Sequence, residues 1–213
     1  MKIKTFSDGL LDSNEYVIWN EDGGHGAVID CGNEALGVKK FVQENGITVD
    51  YIILTHGHVD HAEYVEAHRS AFPEAKLLCH ENEIPTLRDS VANLTPWFGV
   101  GKAYPDPDIA LKNGDDVVIR GNSPENGIVF RVIDAPGHTP GSFLLLCEAE
   151  SIMFTGDVLF HRGRGRTDFK GGDEFAMRDT LRMIAGMDGG IAFYSGHGIP
   201  STVGAEKGWL MRG

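Results

Sequence analysis

The residues best placed to do chemistry lie in Thr55-His56-Gly57-His58-Val59-Asp60-His61, where three imidazoles and a carboxylate follow the apolar run Tyr51-Ile52-Ile53-Leu54. A packed core has no use for polar groups at this density, whereas a transition metal does. Imidazole with an adjacent aspartate suits Zn²⁺ or Fe²⁺. On an extended segment, side chains two apart point the same way, so His56, His58 and Asp60 can converge. His61 must point elsewhere unless the chain turns into a helix there, and the helix-compatible stretch 62–69 favours such a turn. The spacing predicts two neighbouring metal subsites, one using His56 and His58, the other Asp60 and His61.

Three further stations supply what these four residues lack. His138 follows the apolar run 129–133, Asp157 follows 151–154, and His197 follows 191–194. Each has a glycine close by, which permits backbone angles and close approaches that other residues resist. Singly, each reads as a turn residue. Together with the first motif they read as the remaining ligands of a two-metal site.

This ordered set resembles the metallo-β-lactamase superfamily, which carries HxHxDH, then a His, a bridging Asp and a final His. The resemblance runs from about Asn14 to about Glu206. It implies a four-layer αββα sandwich with metals at one edge of the paired sheets. It further implies one subsite of His56, His58 and His138, a second of Asp60, His61 and His197, and Asp157 bridging. Within the superfamily, the segments 136–142, Thr155-Gly156-Asp157-Val158-Leu159-Phe160 and Gly165-Arg166-Thr167-Asp168-Phe169 resemble the glyoxalase II-like (hydroxyacylglutathione hydrolase-like) single-domain branch. The last segment is shared with persulfide dioxygenases, whose pattern would use His56, His138 and Asp157 for one Fe²⁺. Full-length glyoxalase II adds a C-terminal helical domain that helps hold glutathione; this chain ends at Gly213 and is expected to lack it. The superfamily's name describes a fold and does not itself imply β-lactam hydrolysis.

The chemistry expected of such a site is hydrolysis. Water bound to zinc falls from a pKa of about 15.7 to about 7, so a hydroxide shared by two Zn²⁺ (Fe²⁺ or Mn²⁺ also suit the ligands) could attack a small thioester or ester. Asp157, as the bridge, and Asp60, as acceptor of a hydrogen bond from the hydroxide, are the catalytic carboxylates. Two alternatives are the mononuclear Fe(II) persulfide dioxygenase and a non-catalytic, metal-stabilised binding domain. The latter is disfavoured because a structural zinc site is usually a closed set of four ligands.

Composition narrows the partners. With 213 residues the chain suits a single domain, 1–213. A formal net charge of −12 argues against a nucleic-acid substrate, which demands basic surface. No apolar run approaches the roughly 20 residues that span a membrane, and residues 1–11 do not read as a signal peptide. The expectation is a cytoplasmic enzyme of a small-molecule substrate, with no membrane or nucleic-acid partner and no oligomeric state specified. Cys31, Cys79 and Cys147 are far apart and read as small buried thiols.

The elements that must position the ligands follow from patterning. Strands are expected at 16–19, 27–29, 51–54, 76–79, 117–119, 129–133, 143–147, 152–154 and 191–194, and helices at 34–45, 81–91 and 173–185. The segment 20–24 is a hairpin signal. Asp30 either hydrogen-bonds a ligand imidazole or caps a turn. Arg162 and Arg164 are candidates to hold a substrate carboxylate, while Arg166 is expected to brace its loop against Asp168. His25, His68, His80 and His161 fall outside the ligand pattern. Trp97, Phe98 and Tyr104, in the Pro/Gly-rich loop 93–108, either wall the pocket or tuck the loop onto the core.

Overall fold

Strands covered on both faces need near-continuous apolar sequence, and this chain supplies it in two groups. The computed structural model describes residues 1–22 and 24–210. The first group forms a sheet of β1 (Lys2–Phe6), β2 (Glu15–Trp19), β3 (His25–Ile29), β4 (Thr48–Ile53), β5 (Lys76–His80) and β6 (Ile109–Leu111), in that spatial order. Pairing is antiparallel through β3 and parallel from β3 to β6. The second sheet contains β7 (Asp116–Ile119), β8 (Ile128–Asp134), β9 (Phe143–Cys147), β10 (Ile152–Gly156), β13 (Ala192–Ser195) and β14 (Ser201–Thr202). Its order is β14-β13-β10-β9-β8-β7, with only β10–β13 parallel. A short hairpin of β11 (Leu159–Phe160) and β12 (Gly163–Arg164) stands apart.

Alternation along the strands sorts side chains into three packed layers. Tyr16, Ile18, Leu78, Phe130, Phe143, Leu145 and Phe154 fill the space between the sheets. Val17, Val28, Leu77 and Cys79 face outward from the first sheet, against α1 (Ala35–Glu44), α2 (Val59–Ala62), α3 (Val65–Ala71) and α4 (Ile84–Arg88). Leu144, Leu146, Met153 and Phe193 face outward from the second sheet, against α5 (Glu174–Ala185) and α6 (Val203–Leu210). The layers are therefore αββα. In β4 the register skips Asp50, so Val49 and Ile52 face the helices while Tyr51 and Ile53 face the other sheet. Such a bulge restores the correct face after a single extra residue.

Two expected helices are broken. The stretch 62–69 divides into α2 and α3, with Tyr64 at φ −101°, ψ 17° between them. The stretch 81–91 becomes a 3₁₀ turn, Glu81–Glu83, followed by the short α4, with Pro85 in its first turn. The hairpin expected at 20–24 joins antiparallel β2 and β3, with Asn20 N donating to His25 O at 2.8 Å; Gly23 lies outside the described residues. No helix among the described residues is long and apolar enough to cross a membrane.

Candidate metal centre

The seven expected ligands are gathered at one edge of the paired sheets by strand ends. β4 runs into His56, β10 into Asp157 and β13 into His197, while His138 lies in the connection from β8 to β9. His58 precedes α2 with extended backbone (φ −68°, ψ 151°), and α2 begins at Val59. That helical turn swings His61 away from the alternation of His56 and His58, so the four residues serve two clusters. Ligand atoms of His56, His58 and His138 lie within 4.8 Å of one another, as do those of Asp60, His61 and His197, and those of His56, His61 and Asp157. Asp157 reaches both sides, with Oδ1 3.3 Å from His61 Nε2 and Oδ2 3.6 Å from His138 Nε2 and 3.5 Å from His197 Nε2. His197 Nε2 lies 3.1 Å from Asp60 Oδ2.

The donor set fits a metal on an observation independent of motif. Nε2 of His56, His58 and His138, and Oδ1 of Asp157, are buried without a hydrogen-bond partner. Buried polar atoms are rarely orphaned, and here the orphans converge. The other face of these rings is held: His138 Nδ1 donates to Arg166 O at 2.7 Å, and His56 Nδ1 lies 3.2 Å from Thr55 Oγ1. Burial pushes His56 well below the usual histidine range, His58 down to about 3, and His138 downward as well. All three are thus neutral imidazoles, the form a metal ion requires. His61 differs. Burial opposes its charge, but Asp157, Asp60 and Asp30 outweigh that effect and hold its pKa well above the ordinary value. A divalent cation would neutralise the same carboxylates.

Supporting residues fix these rings. Asp30, with left-handed backbone (φ 63°), accepts from His61 Nδ1 at 2.9 Å and Thr55 Oγ1 at 2.9 Å through one oxygen, and from Thr55 N at 2.8 Å through the other. It thus bonds both the His61 imidazole and the turn after β4. Glu83 lies in the stretch 81–91 expected as a helix, where sequence does not single it out. Its Oε1 accepts from Gly57 N at 3.0 Å, and its Oε2 from Thr139 Oγ1 at 2.8 Å and Gly141 N at 2.9 Å. Ser13 Oγ donates to Asp60 O at 2.7 Å, and Asn14 Nδ2 donates to Ser195 O and Gly198 O on either side of His197. Two glycines are required by close approach. A Cβ at Gly196 would collide with Asp157 Oδ1 and lie 2.7 Å from His61 Cε1, and one at Gly165 would lie 2.9 Å from the His138 ring.

The arginines separate. Arg162 is not among the residues that line the pocket; its backbone is left-handed (φ 57°) and its N donates to Glu206 Oε2 at 2.9 Å. Arg164 lines the pocket but is engaged by both oxygens of Glu174 (2.9 and 3.0 Å). Arg166 pairs with Asp168 through two 2.6 Å bonds, the bracing expected of it. His25, His68, His80 and His161 lie against Asp50, Glu15, Asp134 and Glu206, away from the centre. The loop 93–108 does both things expected of it: Trp97 and Phe98 line the pocket, whereas Tyr104 is buried and donates to Glu63 Oε2 at 3.1 Å. All three cysteines are free and buried.

A family model described as the metallo-beta-lactamase superfamily matches residues 8–197. The chain is 29% identical to the hydroxyacylglutathione hydrolase GloC of Haemophilus influenzae, over 97% of this chain and 95% of that protein. Among solved structures, BLEG-1 B3 metallo-beta-lactamase superposes with a TM-score of 0.86 at 30% identity, covering 96% of each chain. TTHA1623, solved in a di-iron-bound form, superposes with a TM-score of 0.79 at 27% identity, covering 95% of this chain and 96% of that one.

Proposed function

This chain belongs to the metallo-beta-lactamase superfamily, and we propose that within it the protein is a dinuclear metal-dependent hydrolase of a small thioester or ester. The observation that carries the reading is the convergence of four orphaned buried ligand atoms, on His56, His58, His138 and Asp157, beside a second cluster of Asp60, His61 and His197. His56, His58 and His138 would hold one ion, Asp60, His61 and His197 the other, and Asp157 would span them. Zn²⁺, Fe²⁺ or Mn²⁺ bound there would supply Lewis acidity, and zinc would lower the pKa of a bound water to about 7.

The chain's own groups do the rest. Asp60, whose pKa is lowered against the effect of burial by His61 and His197, stays ionised and accepts the hydrogen bond of the attacking water. Asp30 keeps His61 in one ring orientation, and the Arg166 carbonyl does the same for His138. The leaving thiolate of a thioester needs little protonation, so no further acid is required of the protein.

A second reading, a mononuclear Fe(II) persulfide dioxygenase, draws on segment 165–169, which the sequence shares with that family and which touches the site. Gly165 lies against His138, and the Phe169 ring lies 5.8 Å from that of His58. Elemental analysis of protein made without added metal and kept from oxygen separates the two. About two ions per chain with thioester turnover supports the hydrolase. One iron per chain with oxygen consumption on persulfides overturns it. A β-lactam belongs in the same substrate panel, since one similar structure is named as a B3 metallo-beta-lactamase.

A further inference from the structure

The pocket over the metal centre has a volume of about 480 Å³, and His58, His138, Asp157 and His197 contribute to its lining. Most of the remaining wall is Leu11, Leu94, Trp97, Phe98, Phe160 and Phe169. These six residues come from four separate segments, so the apolar surface is not the accident of one loop. Trp97 is 69% exposed, Leu11 60% and Phe98 41%. A concave wall of apolar and aromatic side chains around a few convergent polar groups is the usual form of a small-molecule site. Its rings lead inward to both clusters. Trp97 packs edge-on against Phe169 (5.3 Å between centroids), Phe169 against His58 (5.8 Å), and Phe160 against His197 (5.9 Å).

The wall's charges are already spent. Among the described residues lining the pocket, the arginines are Arg164 and Arg166. Glu174 engages the first through two bonds of 2.9 and 3.0 Å, Asp168 engages the second through two of 2.6 Å, and Arg166 also stacks over Phe169 at 4.0 Å. A forked guanidinium already matched by a carboxylate has little to offer a second one. A substrate with its own carboxylates would have to break one of these pairs, on a chain of net charge −12.

Resting on the hydrolase reading, we infer that the substrate is a thioester or ester of an uncharged, apolar acyl group that lies along Trp97, Phe98 and Leu11, with its carbonyl at the histidine clusters. Hydrolysis breaks the acyl C–S (or C–O) bond and forms a C–O bond to the oxygen of water. One proton of that water leaves with the thiol or alcohol, the other passes to solvent, and the acyl group departs as a carboxylate.

The test uses the metal-loaded protein with thioesters of one neutral thiol, from acetyl to octanoyl, beside S-lactoylglutathione as the anionic probe. Burial of each methylene predicts that kcat/KM rises by about twofold to fourfold per carbon until the pocket is filled. Trp97→Ala is expected to lower the octanoyl value at least about fivefold more than the acetyl value, and Phe98→Ala, at a second position, to act in the same direction. A flat series with lactoylglutathione preferred overturns the inference and leaves the hydrolase standing. No turnover of any thioester overturns the hydrolase. In that event, calorimetry with the non-hydrolysable octanoyl thioether decides the pocket by itself: binding that Trp97→Ala weakens supports the apolar assignment, and absence of binding overturns it.

Discussion

Glu83 accepts a 2.8 Å hydrogen bond from Thr139 Oγ1, joining the turn before α4 to the loop that carries His138. Its other oxygen accepts from Gly57 N, between His56 and His58. One buried carboxylate therefore ties together the two loops that hold the three-histidine cluster. Glu83→Ala strands the Gly57, Thr139 and Gly141 donors and is expected to cost about 3 kcal/mol or more in urea unfolding of the metal-free protein. Its metal affinity, measured by chelator competition, should fall by about tenfold to a hundredfold. Unchanged affinity would confine Glu83 to a structural role.

Asp157 is the carboxylate placed between the clusters, and burial, which alone would raise its pKa, is overcome by His61, His56 and His197, which hold it well below the usual range. Asp157→Ala should reduce bound metal and lower turnover by at least about a hundredfold. Full activity at full metal content would remove the bridging assignment.

Gly196 carries no side chain because Asp157 and His61 occupy the space. Gly196→Ala forces the ligand loop outward at a cost of about 3 kcal/mol. For a chain of this length that corresponds to a fall in Tm of about 6–12 °C. A variant as stable as the parent, with the same metal content, would contradict the close packing.

His68 gives the protein a pH dependence separate from the metal centre. Its Nδ1 donates to Tyr64 O and its Nε2 to Glu15 Oε1, both at about 2.8–2.9 Å, so both ring nitrogens act as donors and the charge belongs on the imidazole. Burial disfavours that charge and also raises Glu15, but Cys31 and Glu15 act the other way on His68 and push it up to about 11. The folded pKa exceeds the unfolded value of about 6.5. The stabilisation is therefore complete below pH 6.5 and is lost as pH rises toward 11. His68→Gln should be less stable than the parent at pH 7, with a shallower decline between pH 7 and 10. Parallel declines would show that the pair does not titrate in this window.

The candidate ligands stand out in the sequence because each of their four stations follows an apolar run and has a glycine close by. The strands were legible as apolar runs, although the two-sheet sandwich came from the family resemblance and the order of strands within each sheet was not read at all. Glu83 was invisible because a glutamate in a stretch read as one helix looks solvated until that stretch splits into a 3₁₀ turn ending at Glu83 and the short α4 beginning at Ile84. The helix α6 was missed because Gly204 and Gly208 lower its propensity, and what holds it, such as Glu206 bonding Arg162 N and Trp209 Nε1, acts through the fold. The split roles of Arg162 and Arg164 likewise depend on Glu206 and Glu174, partners that spacing does not identify.

The ties between the beginning of the chain and its last ligand also have a consequence in time. Asn14 and Tyr16 both donate to Ser195 O, and Ser13 bridges His197. During synthesis, His56, His58, His138 and Asp157 are all made before β13 exists. At about 5–20 residues per second, the 40 positions from Asp157 to His197 take about 2–8 s. For that interval a nascent chain carries six of the seven candidate ligands, and the cluster of Asp60 and His61 is completed only when His197 and its bridge to Ser13 are in place.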